Sequence, residues 1–409
     1  MSKIRIKNFG PIKSGLIQDD GWMDIKKITL FIGNQGSGKS TIAKIISTFT
    51  WIEKALVRGD YDKKWFERKN RLKNQYLNYH RLENYFSTDK EHKTVIDYQG
   101  EAFSIRYADG GLKIEEVNSG NYQLPQIMYV PAERNFITYV KTPKELKLSS
   151  ASLSEFLTEF DNAKQHLKKA VKMPVNNAEV EYDRLNDTLN LKGNGYKLKL
   201  TEASSGFQSL VPLYLVSSYL AKSVKRQSKI ERSHMSGEEI QRFKKEIEEI
   251  ISNNSLTSEQ RRIAITVLSA KFNKSAFINI VEEPEQNLFP TSQQQMLNSL
   301  IEFNNMNSGN KLIITTHSPY LINYLTLAVK ARIIKDKIDD ANLQSLEKIV
   351  PLESFVNPNK VALYQLGDDG TVQMLEPFNG LPSDENLLNE KLEESNELFA
   401  QILEIQQGL

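Results

Sequence analysis

The 409-residue chain carries 53 Lys and Arg against 51 Asp and Glu, a formal charge of +2, with 39% apolar and 25% charged residues. That balance fits a globular protein of two domains or one elaborated domain, and it excludes nucleic-acid binding through net charge alone. With no cysteine, disulfides, thiolate metal sites and cysteine nucleophiles are excluded too.

The start, MSKIRIKNFGPI, lacks the apolar centre of a signal peptide. No run of about 18 apolar residues occurs to span a membrane. A cytoplasmic protein without a membrane partner is expected.

In chain order, KIRIKNFGPIKSGLI alternates apolar and charged residues and predicts two strands joined, hairpin fashion, at Gly10-Pro11. A short buried strand is expected over 28–32. A helix follows, with apolar residues at Ile42, Ile45, Ile46, Phe49 and Ile52. Residues 51–93 hold eleven Lys or Arg, seven Asp or Glu and eight aromatics, and are expected to form a basic, aromatic helical insert. TVIDYQGEAFSIRYADGGLKIEEV returns to strand alternation with a turn at Asp109-Gly110-Gly111, and QIMYVPAERN reads as a buried strand ending at Pro131. Capping boxes are expected at Ser152 with Glu155, Ser236 with Glu239 and Thr257 with Gln260.

A helical insertion is expected at about 215–268. Beyond it the pattern predicts a strand at 276–281, a helix at 291–305, a strand at 311–315 and a helix at 319–329. A late hairpin and a polar terminal helix take up about 360–409. Alternating strands and helices predict one α/β domain over 1–409, with a mainly parallel, mixed sheet and antiparallel strands at its start.

Gly33-Asn34-Gln35-Gly36-Ser37-Gly38-Lys39-Ser40 fits G-x-x-x-x-G-K-[ST], placed after a strand and before a helix. Its glycines let successive N–H groups face a phosphate at the positive end of the helix. Lys39 is expected on the β- and γ-phosphates, Ser40 on a Mg²⁺ ion, and Thr41 in the same cradle. In INIVEEPEQNLFP, two adjacent carboxylates end a buried strand, where like charges repel and lose solvation. A Mg²⁺-nucleotide resolves that conflict: Glu282 becomes a metal ligand and Glu283 polarises the attacking water. His317, at the end of strand 311–315, is placed to hydrogen-bond a γ-phosphate. In TEASSGFQSL, Ser204-Ser205-Gly206-Phe207-Gln208 precedes a helix and resembles the signature loop of ABC-type ATPases.

With these elements in the order phosphate loop, signature, paired carboxylates and histidine, the chain resembles the non-transporter ABC-type ATPases, including RecF, SMC-like proteins and the ATPase half of OLD (overcoming lysogenisation defect) proteins. KIRIKNFGPIK, EEPEQNLFP and TTHSPYLI look most like the OLD-like AAA branch. The resemblance implies a P-loop NTPase head and an ATP-sandwich homodimer or higher even oligomer, in which Ser205, Gly206 and Gln208 of one subunit meet the ATP of the other. Its usual metal-binding Asp is Glu282 here, and the family's glutamine loop has no clear counterpart; the nearest candidate region is QIMYVPAERN, where Arg134 is expected to approach the phosphates or the opposite subunit. OLD proteins add a Toprim nuclease domain, for which the residues after His317 lack a set of strand-end acidic ligands. The chain is therefore expected not to be a nuclease itself. It looks like the stand-alone ATPases of the Septu, PARIS and some retron anti-phage systems, which act with a separate effector, a nuclease or toxin. The basic inserts offer nucleic acid as a further partner, and a RecF- or SMC-like DNA-repair ATPase is the alternative.

Overall fold

The computed structural model describes residues 2–117, 122–140, 148, 150–232, 250, 252 and 274–407. The first half runs β1 (Ser2–Lys7), β2 (Gly15–Leu16), β3 (Met23–Ile25), β4 (Ile28–Gly33), α1 (Lys39–Arg58), α2 (Lys63–Glu67), β5 (Val95–Gln99), β6 (Phe103–Ala108), β7 (Gly111–Glu116) and β8 (Pro125–Val130). Next come α3 (Phe136–Tyr139), α4 (Ala151–Gln165), β9 (Val171–Lys172), β10 (Glu179–Asp183), β11 (Thr188–Gly193), β12 (Tyr196–Lys199) and α5 (Ser205–Arg232). The remainder comprises β13 (Ala276–Glu282), α6 (Pro290–Asn305), β14 (Lys311–Thr316), α7 (Pro319–Ile334), α8 (Asp340–Ile349), β15 (Val361–Leu366), β16 (Thr371–Met374) and α9 (Leu387–Gln407).

A seven-stranded sheet of order β2-β16-β15-β4-β14-β13-β8 forms the centre. Its middle strands, β15, β4, β14, β13 and β8, are mutually parallel, so their C-terminal ends gather along one edge. β14 lies between β4 and β13, which separates the phosphate loop from the paired glutamates by one strand. The sheet's two faces feed separate cores. Ile28, Leu30 and Ile32 of β4, Leu312 and Ile314 of β14, and Phe277 and Val281 of β13 join the core formed with α4, α5, α6 and α7. Phe31, Ile313, Ile278 and Ile280 point the other way, into a core shared with α1 and the antiparallel sheet β3-β1-β5-β6-β7. Period-two alternation in strands buried on both faces explains why these runs are mostly apolar, with Thr29 and Asn279 as buried polar exceptions.

Several expectations are revised. The turn at Gly10-Pro11 forms, with Phe9 and Ile12 bridged, but the chain does not return along β1. β1 joins the antiparallel sheet, and β2 pairs with β16. α1 runs on to Arg58, so the first part of the 51–93 stretch is phosphate-loop helix; the rest is α2 followed by short π and 3₁₀ turns. Its aromatics pack on one another, with Trp51, Tyr61, Phe66 and Tyr76 at centroid distances of 5.1–6.5 Å. The cap of α4 is Ser150, whose hydroxyl accepts from the Leu153 N–H, while Glu155 accepts from the Tyr79 hydroxyl instead of closing a box. The other two capping boxes, and most of the 215–268 insertion, lie outside the described residues. A four-stranded antiparallel sheet, β12-β11-β10-β9, directly precedes the signature turn and was not anticipated.

Candidate active site

β4 delivers Gly33 to the edge where the parallel strands end, and Asn34, Gln35 and Gly36 stand exposed beyond it. The chain turns back through Ser37 into Gly38, which caps α1 at φ 107°; a Cβ there would meet Ile12 Cδ1 at 2.5 Å. Glycine is needed on both counts. The Ser37 hydroxyl is buried without a hydrogen-bond partner, and Thr41 is buried one turn further on. Such an orphaned hydroxyl inside a curl of backbone N–H groups at a helix start suits a phosphate group.

Lys39 is buried. Its ammonium donates to Gly33 O at 2.8 Å and Asn34 O at 2.7 Å, and lies 3.4 Å from His317 Nδ1. Burial lowers its pKa to about 8, against the opposing pull of Glu283, Glu285, Asp368 and Glu282. With Nδ1 facing an ammonium, the His317 proton belongs on Nε2, and that nitrogen lies 3.5 Å from Glu283 Oε1. This contact holds the Glu283 carboxyl below its usual range. Lys39, His317 and Glu283 thus form one chain of contacts across the ends of β4, β14 and β13.

Glu285 secures the histidine from behind. One of its oxygens accepts from Thr316 Oγ1 at 2.7 Å and from the His317 N–H at 2.8 Å, and burial pushes its pKa up. Glu282 is also buried. Its oxygens accept from the Tyr129 hydroxyl and, at 3.1 Å, from the Ala132 N–H; Lys44, one turn beyond Ser40, lies 4.0 Å away. Ser40 and Glu282 share the edge but do not hydrogen-bond to each other. Among the described residues no group of three or more His, Asp or Glu could hold a metal ion. A divalent cation bound by Ser40 and Glu282 would therefore complete its shell with nucleotide oxygens or water.

Arg134 does not reach the phosphates. It is fully buried, and its guanidinium donates to Glu282 O at 2.7 Å, Glu283 O at 2.6 Å, Ser209 O at 3.2 Å and Pro131 O at 3.3 Å. It ties the end of β13 to α5. Glu283, whose carbonyl it holds, sits at φ 44°, an uncommon conformation for a glutamate.

Ser204 and Ser205 are exposed at the start of α5. Gly206 packs so closely on the segment after the glutamates that a Cβ would stand 2.8 Å from Asn287 O, and Asn287 Nδ2 donates to Ser209 Oγ at 3.2 Å. Gln208 is buried, its amide donating to Leu200 O and Thr201 O, so it anchors the turn before the helix. No hydrogen bond or ion pair joins residues 204–206 to residues 33–41 of the same chain.

Sequence reasoning missed the clasp made by Arg134, the backing of His317 by Glu285, and the Tyr129 contact to Glu282. For the first, the available signal was an arginine four residues past the end of a buried strand.

Among solved structures, the chain is similar to the SMC head domain from Thermotoga maritima (10% identity, TM-score 0.35, covering 93% of this chain and 98% of that one). It is similar also to the Pyrococcus furiosus Smc head bound to the C-terminal domain of ScpA (11%, TM-score 0.38, 98% and 100%). A third is a dimeric ATP-binding cassette bound to ADP and Pi (14%, TM-score 0.25, 92% and 100%). Likenesses this distant carry no functional information. No curated protein matches the sequence. Residues 60–322, more than half of the chain, match the AAA ATPase domain; the match starts after the phosphate loop but takes in the signature turn, both glutamates and His317. The chain belongs to the AAA ATPase domain family.

Proposed function

We propose that the chain is an ATP-driven conformational switch, in which two copies sandwich two Mg²⁺-ATP molecules and control a separate effector. The observation that carries this reading is the split between its two halves. Lys39, His317 and Glu283 are joined at one strand edge, while Ser204 and Ser205 stand exposed beside a half-buried Gly206 and make no hydrogen bond or ion pair with that chain's own phosphate loop. A helix N-terminus exposed in this way is suited to a γ-phosphate on another molecule.

In this reading the P-loop N–H groups, Ser37, Ser40 and Thr41 hold the phosphates, and Lys39 gives up a loop carbonyl to reach them. Mg²⁺, held by Ser40 and Glu282, would neutralise charge on the β- and γ-phosphates. Glu283 accepts a hydrogen bond from water and aligns it, and His317, which holds Glu283 in place before nucleotide binds, would turn its one ring N–H to the γ-phosphate. Arg134 ties Glu283 to α5, so closure of the signature on a partner's nucleotide is felt at Glu283.

An effector partner, and with it an anti-phage role like that of OLD-like stand-alone ATPases, is supported by α9. None of its residues is buried, and Leu392, Leu398, Phe399, Ile402, Leu403 and Ile405 are exposed along it. An uncovered apolar stripe of that kind marks an interaction surface. The SMC- or RecF-like alternative, with DNA as the stimulus, draws on the basic residues of 51–93. No described helix is long and apolar enough to cross a membrane.

Glu283→Gln tests the switch. With ATP and Mg²⁺ it should bind nucleotide, hydrolyse at least 100-fold more slowly, as loss of a base does, and sediment as a dimer. A monomer with bound ATP would reject the sandwich.

A further inference from the structure

The residues between α1 and β5 fold back over α1 and β8 and leave a cavity of about 340 Å³, whose lining includes Trp51, Lys54, Tyr76, His80, Tyr129 and Glu155. We propose that this cavity binds a small planar molecule bearing one anionic group, with the anion on Lys54 and the ring against Trp51 and Tyr76. The Lys54 side chain is buried, 9% exposed, and among the described residues its ammonium has no hydrogen-bond or ion-pair partner. A charge largely removed from water with no close partner is costly, and an incoming anion supplies one.

The surroundings favour an anion. Lys274 and Arg58 lie close enough to depress Lys54 further, and with burial they bring its pKa to about 7. The opposing groups are Glu155, which also lines the cavity and accepts from the Tyr79 hydroxyl, and Asp60, which pairs with Arg58 at 3.4 Å. His80 offers a second unused polar atom: Nδ1 is buried without a partner, in a ring that burial keeps neutral. The aromatic wall supplies the flat surface, since Trp51 and Tyr76 lie 5.5 Å apart and Trp51 is 39% exposed at the mouth. The volume suits a ligand near the small end of the usual range.

The site touches the ATPase machinery through two contacts. His80 packs edge-on against Tyr129 at 4.6 Å, and the Tyr129 hydroxyl donates to Glu282. An occupant that shifts His80 therefore alters the carboxylate assigned to the metal. Binding is independent of the proposed ATPase mechanism; the effect on turnover rests on it.

Calorimetric titration of the full chain without nucleotide, using phenyl phosphate, benzoate and neutral benzyl alcohol, tests the site. At least one anion should bind with one-to-one stoichiometry and benzyl alcohol should not; which anion binds separates phosphate from carboxylate ligands. Lys54→Met should weaken binding at least tenfold and Lys39→Ala should leave it unchanged, with Lys54→Gln replacing the first variant if it fails to fold. No anion binding at millimolar concentration, equal binding by Lys54→Met, loss in Lys39→Ala, or equal binding of benzyl alcohol would each overturn the proposal.

Discussion

Replacing Arg134 separates its structural role from its role in turnover. Its guanidinium serves four buried carbonyls, two at 2.6–2.7 Å and two at 3.2–3.3 Å. Hydrogen bonds from a charged donor contribute about 1.5–3 kcal/mol each when short. The longer pair contributes less, and burying the cation is itself costly. Arg134→Met, which leaves all four acceptors dry, should therefore destabilise by about 3–6 kcal/mol, a large part of a typical 5–15 kcal/mol. Arg134→Lys keeps a charge, but its donors sit on one atom and cannot span both the Ser209 carbonyl and those of Glu282 and Glu283. A loss of about 2–3 kcal/mol is expected for it. Glu283 should then relax from its left-handed conformation, lowering kcat at least tenfold while ATP affinity holds, because Arg134 makes no contact with the phosphate loop. Urea denaturation, nucleotide titration and steady-state turnover give the three readouts. Wild-type kcat in a measurably destabilised Arg134→Lys protein would refute the coupling.

Lys39→Ala should abolish ATP binding without lowering stability, since it removes a buried ammonium whose pKa is already depressed; undiminished nucleotide affinity would contradict the cradle. Gly206→Ala places a methyl 2.8 Å from Asn287 O, so α5 must shift away from the 287 segment; turnover should fall several-fold with little change in ATP affinity, as steady-state assays would reveal. Lys54→Met bears on pH. The wild-type amine falls from 10.5 to about 7 on folding, so the unfolded chain binds the extra proton between those values and wild-type stability rises across that window. The variant should therefore be the more stable near pH 7, by at most about 4 kcal/mol, with the advantage shrinking toward pH 10; denaturation curves at the two pH values would show it.

What was legible in the sequence is local. The strands expected at 28–32, 276–281 and 311–315 appear as Ile28–Gly33, Ala276–Glu282 and Lys311–Thr316, because strands buried on both faces are predominantly apolar and then stop where their ends meet solvent. The phosphate loop was equally readable, since its glycines and helix start depend on backbone conformation over a few residues. The late hairpin formed at Asp368-Asp369-Gly370 for the same reason, with Gly370 at φ 82°.

The linkage of Glu283 to His317 and Lys39 was not readable, because it depends on β14 inserting between β4 and β13, and strand order is a non-local choice. Arg134 illustrates the difference best. By composition it was a cation free to seek phosphate; burial behind β13 and α5 turned it into a clasp for four carbonyls, since a guanidinium removed from water takes the nearest oxygens in its plane. The β9–β12 sheet escaped notice because its outer strand is largely solvent-facing, which weakens the alternation that marks a core. Sequence alone determined which chemical groups the chain brings and the order in which they come; the tertiary structure decided which of them face the edge and which are buried in holding it, because burial and strand order arise from contacts between residues far apart in the chain.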